Sequence, residues 1–75
     1  MARITIDQKI RHGKPVIEGT RIAVDEVLGA LAGGMTYDEI ANEYGVGRDG
    51  ILAALHYATE IVSEEVVGPL KIVKK

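Results

Sequence analysis

The sequence predicts a mainly α-helical domain with a short N-terminal β-hairpin and a three-helix helix-turn-helix core. Near the N-terminus, apolar and polar residues alternate, which is the period of a half-buried strand. From residue 24 onward, apolar residues recur every three or four positions, as on one face of an amphipathic helix. Glycines stand where this helical pattern stops, at Gly33, Gly34 and Gly45, and glycine commonly ends a helix.

The first 23 residues are predicted to form strands and a hairpin. Ile4 and Ile6 alternate with polar neighbours, so we expect one short strand there. Turn residues 13–15 follow, and the apolar residues at 16–17 and 21–23 then predict two short strands around residues 18–20. We therefore expect a hairpin in this segment.

The first helix is predicted to begin at Val24. Its apolar face consists of Val27, Leu28, Leu31 and Ala32. Asp25 and Glu26 fall in the first turn, where the helix dipole favours negative charge. The Gly33–Gly34 pair is expected to end this helix.

The second helix is predicted to begin after Thr36 and to end at Gly45. Thr36 and Glu39 have the spacing of a capping box, in which each side chain bonds the other residue's backbone N–H. A left-handed Gly45 would turn the chain towards a third helix. Two helices joined by so short a glycine turn are typical of a helix-turn-helix, although ordinary helical hairpins share this pattern.

The third helix is predicted to run from about Arg48 to Glu65, roughly 27 Å at 1.5 Å per residue. Because this is longer than the helices before it can cover, we expect its far half to have a partner. The predicted dimer interface consists of Ile61, Val62, Val66 and Val67; packing of Ile61 and Val62 on the N-terminal hairpin is the alternative. The core then spans residues 24–67, and residues 68–75 form a C-terminal arm.

The composition predicts a single domain over residues 1–75 that is supported by self-association. A chain of 75 residues has a marginal core, and without cysteine it has no disulfide to support it. We therefore expect a homodimer or a higher homo-oligomer. No apolar run is long enough to span a membrane, and we expect a cytoplasmic protein with no cofactor and no metal site.

The charges divide the chain into basic ends and an acidic middle. The formal net charge is −2, which argues against general binding to polyanions. Between residues 22 and 70, Arg48 is the only lysine or arginine. Any contact with DNA would therefore depend on Arg48 and the basic termini, whereas the acidic middle would suit a basic protein partner.

Several segments resemble the DUF433 family. They are PVIEGTRI at residues 15–22, the pattern of Gly34, Thr36, Glu39, Ile40 and Tyr44, and then Ala53, Ala54, Leu55, Tyr57 and Ala58. The family comprises small proteins described as antitoxins of the VapB45-like type with a DNA-binding helix-turn-helix. The resemblance implies a homeodomain-like three-helix core after the hairpin and, in a toxin–antitoxin system, a PIN-like ribonuclease as partner.

The candidate DNA-binding residues lie on the third helix and in the basic loop before the second strand. If the helix enters a major groove, its early and outward positions would be Arg48, Asp49, Leu52, Ala53 and His56. The loop would add Lys9, Arg11 and Lys14 as contacts to phosphate. Two functions stay open: a dimeric DNA-binding antitoxin, and a dimerisation module that docks a basic partner without binding DNA.

An enzyme is not expected. Ser63 is the only serine, has no histidine close in sequence, and precedes two glutamates that suit a solvated helix face. The chain has no cysteine to act as nucleophile.

Overall fold

The computed structural model describes residues 2–65, which form two strands followed by three helices. This part of the chain is mainly helical with an antiparallel two-stranded hairpin at its N-terminus, which confirms the predicted fold class. The elements are β1 (Ile4–Ile6), β2 (Pro15–Ile17), α1 (Val24–Ala32), α2 (Tyr37–Tyr44) and α3 (Arg48–Glu65). Val66, Val67 and the arm at residues 68–75 lie outside the described residues.

The hairpin pairs β1 with β2, and Thr5 lies opposite Val16. The segment predicted as a strand at residues 21–23 contributes only a single bridge, from Ala23 to Val16. The partner of residues 15–17 is therefore β1, which is more distant in sequence than the pattern of residues 16–23 indicates. Residues 7–14 connect β1 to β2 and include a short 3₁₀ turn at Arg11–Gly13, in which Arg11 and His12 have left-handed φ angles of 51° and 59°.

Both ends of α2 are stabilised as the sequence predicts. At the start of α2, Thr36 Oγ1 accepts a hydrogen bond from the Glu39 N–H at 3.1 Å, and Glu39 Oε1 accepts one from the Thr36 N–H at 2.8 Å. Gly45 ends α2 with a φ of 73°. At the start of α1, Glu26 Oε1 accepts the Ala23 N–H at 2.8 Å; alanine has no side-chain oxygen to return the bond.

The core consists of buried residues from β2 and from all three helices. Val16 of β2, Val27 of α1, Ile40 of α2 and Ile51 of α3 are each 0% exposed. Burying one such side chain stabilises a fold by about 1.5–3 kcal/mol. Because the buried residues come from every helix and from β2, the orientation of α3 is fixed by the same contacts that hold the domain together.

The first turns of α3 pack closely against the end of the preceding turn. A Cβ atom built on Gly50 would lie 2.7 Å from Cγ1 of Val46, which is shorter than any ordinary contact. The far half of α3 extends beyond the core, and residues 59–64 are all exposed. Ile61 and Val62 therefore present apolar surface to solvent.

Candidate nucleic-acid and partner interface

The three residues between α2 and α3 leave the beginning of α3 open to solvent. Arg48, the first residue of α3, is exposed, and its guanidinium lies 5.6 Å from the centroid of the Tyr37 ring at the start of α2. An arginine at this distance from an aromatic face is attracted to it. Tyr37 thus holds the positive charge of Arg48 at the junction of the two helices.

Asp49 binds the beginning of the chain. Its Oδ2 accepts a hydrogen bond from the backbone N–H of Ala2 at 2.7 Å. This contact ties the residues before β1 to the first turn of α3. No sequence signal indicates it, because the two residues are 47 positions apart.

The outward face of α3 continues with Leu52 and His56. Leu52 is 39% exposed, and Nε2 of His56 lies 3.4 Å from Oε2 of Glu60 one turn further on. Ala53 is only 6% exposed, so the expectation that it faces outward is wrong. The reason is β1, which packs beside α3, so that Ala53 lies in the floor of the groove between them.

Two of the three loop cations proposed as DNA contacts are engaged by acids of α1. Arg11 Nη1 donates to Glu26 Oε1 at 2.9 Å and to the carbonyl oxygen of Arg21 at 2.8 Å. Lys14 Nζ donates to Asp25 Oδ2 at 3.0 Å. Lys9 is exposed and makes no ion pair within the described residues. The loop therefore stabilises the start of α1, and its capacity to hold phosphate is reduced.

The pKa of Glu26 reflects these contacts. The hydrogen bond from the Ala23 backbone N–H lowers it below the ordinary 4.5, and the hydrogen bond and positive charge of Arg11 lower it further. Both act because they favour the ionised carboxylate. Glu26 is therefore charged at neutral pH and joins the loop to α1.

Two surface grooves flank α3. One lies between the start of β1 and α3, and its lining includes Arg3, Ile4, Tyr57 and His56. Sequence reasoning missed Arg3, since its strand pattern indicates only a polar face. The other groove is mostly apolar and is lined by Pro15, Val24, Asp25, Leu28, Tyr57, Ala58, Ile61 and Val62. It contains both described members of the predicted dimer interface.

Among residues 2–65, no helix combines the length and the hydropathy that crossing a membrane requires. The same residues contain no cluster of three or more side chains suited to hold a metal ion.

These features define a small helical domain with an N-terminal hairpin and a third helix whose outward face is exposed to solvent. The family model of DUF433, described as a protein of unknown function, matches residues 4–58. The chain therefore belongs to the DUF433 family, as the resemblance of its sequence segments predicts.

Two comparisons with individual proteins agree with this membership. A protein of Mycobacterium tuberculosis (strain ATCC 25618 / H37Rv) named "Putative antitoxin VapB45" is 37% identical over 54 residues, which cover 72% of this chain and 23% of that protein. The crystal structure of Rv2018 from Mycobacterium tuberculosis matches with a TM-score of 0.63 and 36% identity, over 69% of this chain and 24% of that chain. The chain thus spans about a quarter of the length of these relatives.

Proposed function

We propose that this chain is an antitoxin-type protein of a toxin–antitoxin system, which acts in the cytoplasm as a dimer and binds DNA through a helix-turn-helix formed by α2 and α3. The observation that carries the proposal is its 37% identity to a protein named as an antitoxin. Its regulatory role is one of binding, without catalysis. The exposed start of α3 after the Gly45 turn supports the DNA-binding part.

The outward side chains of α3 provide a short reading surface. Arg48 suits bidentate bonding to guanine, and Leu52 suits contact with a thymine methyl. His56 would reach a phosphate or a base edge. The Asp49 carboxylate accepts the Ala2 N–H and Ala53 is buried, so we assign neither residue a direct contact with DNA bases.

Because one chain offers so few contacts to DNA, we expect two copies of the chain to bind together. In a dimer, two α3 helices about one turn of DNA apart, roughly 34 Å, would read a palindromic site. Ile61 and Val62 remain the seam proposed from the sequence, because their exposed side chains lie on the far half of α3. Val66 and Val67 would continue that seam outside the described residues.

Selection of DNA sequences tests this proposal. The wild-type chain is used to enrich duplexes from a random pool, and the affinity for the selected duplex is then measured at several salt concentrations. We expect Arg48→Ala to weaken binding by about 5- to 150-fold for each half-site, the value of one bidentate base contact of about 1–3 kcal/mol. Arg21→Ala is the matched control, since it removes an exposed arginine that is not on α3. Failure to enrich any duplex would refute DNA binding.

The second candidate function is a protein-interaction module that docks a basic partner such as a PIN-like ribonuclease. The ion pairs of Arg11 with Glu26 and of Lys14 with Asp25 favour this second function, because they leave two fewer cations to bind phosphate. In this case, deletion of residues 68–75 should leave the fold intact and weaken partner binding in a pull-down. If the shortened chain retains the partner as well as the full chain does, residues 68–75 do not contribute to partner binding.

A further inference from the structure

One edge of the hairpin carries backbone groups without partners in the described part of the chain. The Arg3 carbonyl accepts the Glu18 N–H at 2.8 Å, and in an antiparallel ladder the bonded positions on a strand alternate. Thr5 therefore bonds β2 in the same way, opposite Val16. Ile4 and Ile6 occupy the intervening positions, so their N–H and C=O groups point to the outer edge of β1.

The side chains of β1 favour the pairing of this edge with another strand. Ile6 is 60% exposed, which is a large apolar exposure for a strand residue. An open edge with exposed apolar side chains readily pairs with another strand unless something covers it. Arg3 before the strand and Asp7 after it are both exposed and carry opposite charges.

We propose that β1 pairs in antiparallel fashion with β1 of a second copy, about a two-fold axis at Thr5. In this register Ile4 lies opposite Ile6 of the second copy, and each such pair exchanges both backbone hydrogen bonds. The outward N–H and C=O groups of Ile4 and Ile6 are those that this register requires. An axis midway between two residues would set these outward groups against inward-pointing ones and lose the bonds. An axis at Ile4 or at Ile6 would keep outward groups opposed but would not place Arg3 opposite Asp7.

The charges fit the same register. Arg3 lies opposite Asp7 of the second copy, and symmetry repeats the pair. These positions are non-hydrogen-bonded pairs, in which side chains come closest. Arg3 makes no ion pair within the described residues. Asp7 uses Oδ1 to accept the Lys9 N–H at 2.9 Å, which leaves Oδ2 for the arginine. The strand is thus complementary to itself.

The groove between β1 and α3 provides space for the incoming side chain. It has a volume of about 500 Å³ and is lined by residues that include Ile4, Ala53 and Tyr57. Ile6 of the second copy would lie opposite Ile4 on the same face of the sheet, beside this groove. Contact there would remove apolar surface of both isoleucines from water.

The strand pairing would form the dimer that the proposed function uses to read DNA. It rests on the proposed function in that respect only. It places the interface of that dimer at β1 in place of the seam at Ile61 and Val62, and the variants below distinguish the two. The association is measured without DNA, so its failure and the failure of DNA binding are separate results.

Charge exchange tests the register, with sedimentation equilibrium of the full chain as the readout. Arg3→Asp and Asp7→Arg each place like charges opposite one another, and each should raise the dimer Kd by about 10- to 100-fold over the two symmetric pairs. An equimolar mixture of the two variants should restore association as a heterodimer, because every opposed pair is again of opposite sign. A wild-type chain that stays monomeric at all concentrations, or a mixture that does not associate, would overturn the proposal.

A backbone variant tests the hydrogen bonds independently of charge. Ile6→Pro removes an outward N–H but no bond to β2, since Ile6 faces Pro15 at a non-bonded position. We expect a folded monomer, with the fold checked by circular dichroism. Ile6→Val is the matched control, because it keeps the backbone N–H and a β-branched apolar side chain at the same position, and it should remain dimeric. A folded Ile6→Pro dimer, or a monomeric Ile6→Val chain, would contradict strand pairing.

Discussion

Replacement of Glu26 by glutamine should lower the stability of the domain in a way that depends on pH. The Glu26 carboxylate accepts hydrogen bonds from the Ala23 N–H at 2.8 Å and from Arg11 at 2.9 Å. Glutamine keeps an oxygen for the cap but loses the charge. Because the Arg11 and Glu26 side chains are 34% and 35% exposed, solvent limits their ion pair to about 0–1 kcal/mol.

Loss of the ion pair and weakening of the cap should together lower the free energy of unfolding of Glu26→Gln by about 1 kcal/mol at pH 7. Glu26→Ala also loses the cap and should lower it by about 2 kcal/mol. For a domain of this size, 1 kcal/mol corresponds to a fall in Tm of about 4–8 °C. Thermal unfolding followed by circular dichroism measures it. Asp25→Asn is the control, because the Asp25 side chain is 65% exposed, and it should cost less than about 0.5 kcal/mol.

The pH dependence follows from the sign of the pKa shift. The folded state lowers the pKa of Glu26 below 4.5, so the unfolded state binds the proton more readily. The stabilisation is complete above pH 4.5 and is lost as the pH falls through the lowered pKa. The difference in Tm between the wild type and Glu26→Gln should therefore shrink on acidification. Equal stability at pH 7, or a difference that persists in strong acid, would refute this reasoning.

Three further predictions concern the core and the helix ends. Ile51→Ala, at a fully buried position, should cost about 2–5 kcal/mol in urea unfolding, whereas Leu52→Ala next to it, at 39% exposure, should cost far less; similar losses would contradict the orientation of α3. Gly50→Ala should destabilise, because its Cβ would meet Val46 at 2.7 Å, while Gly29→Ala, with open space around it, should stabilise by about 0.5–1 kcal/mol; the reverse order of their Tm values would refute this packing. Thr36→Ala should cost about 1 kcal/mol by loss of the cap, and Thr36→Ser should retain most of it.

The helices could be predicted from the sequence because their signals are local. Thr36 and Glu39 are three residues apart, and Gly45 alone is enough to end α2, so the bounds of that helix follow from neighbouring residues. The strand pairing could not be predicted in the same way. The pattern marks Ile4, Ile6, Val16 and Ile17 as strand residues, but which strands pair depends on packing against α1 and α3.

The candidate site was less predictable than the helices for the same reason. Helical spacing places Ala53 near the edge of the apolar stripe, and the position of β1 decides that it is buried. Lys14 and Arg11 are basic residues in a loop, and only the fold reveals that Asp25 and Glu26 bind them. Arg48 is different, because it is the first residue of a helix and lies at an exposed position that the sequence already indicates.

The hydrogen bond between Ala2 and Asp49 sets an order for folding during synthesis. Its two residues are 47 positions apart, so the bond cannot form until the beginning of α3 has left the ribosome. Contacts between such distant residues slow folding, since a long loop must close first. The hairpin and the first two helices can form earlier. Until α3 has been synthesised, however, β1 lacks its contacts with that helix. A nascent chain stalled before residue 48 would hold that strand without α3 beside it.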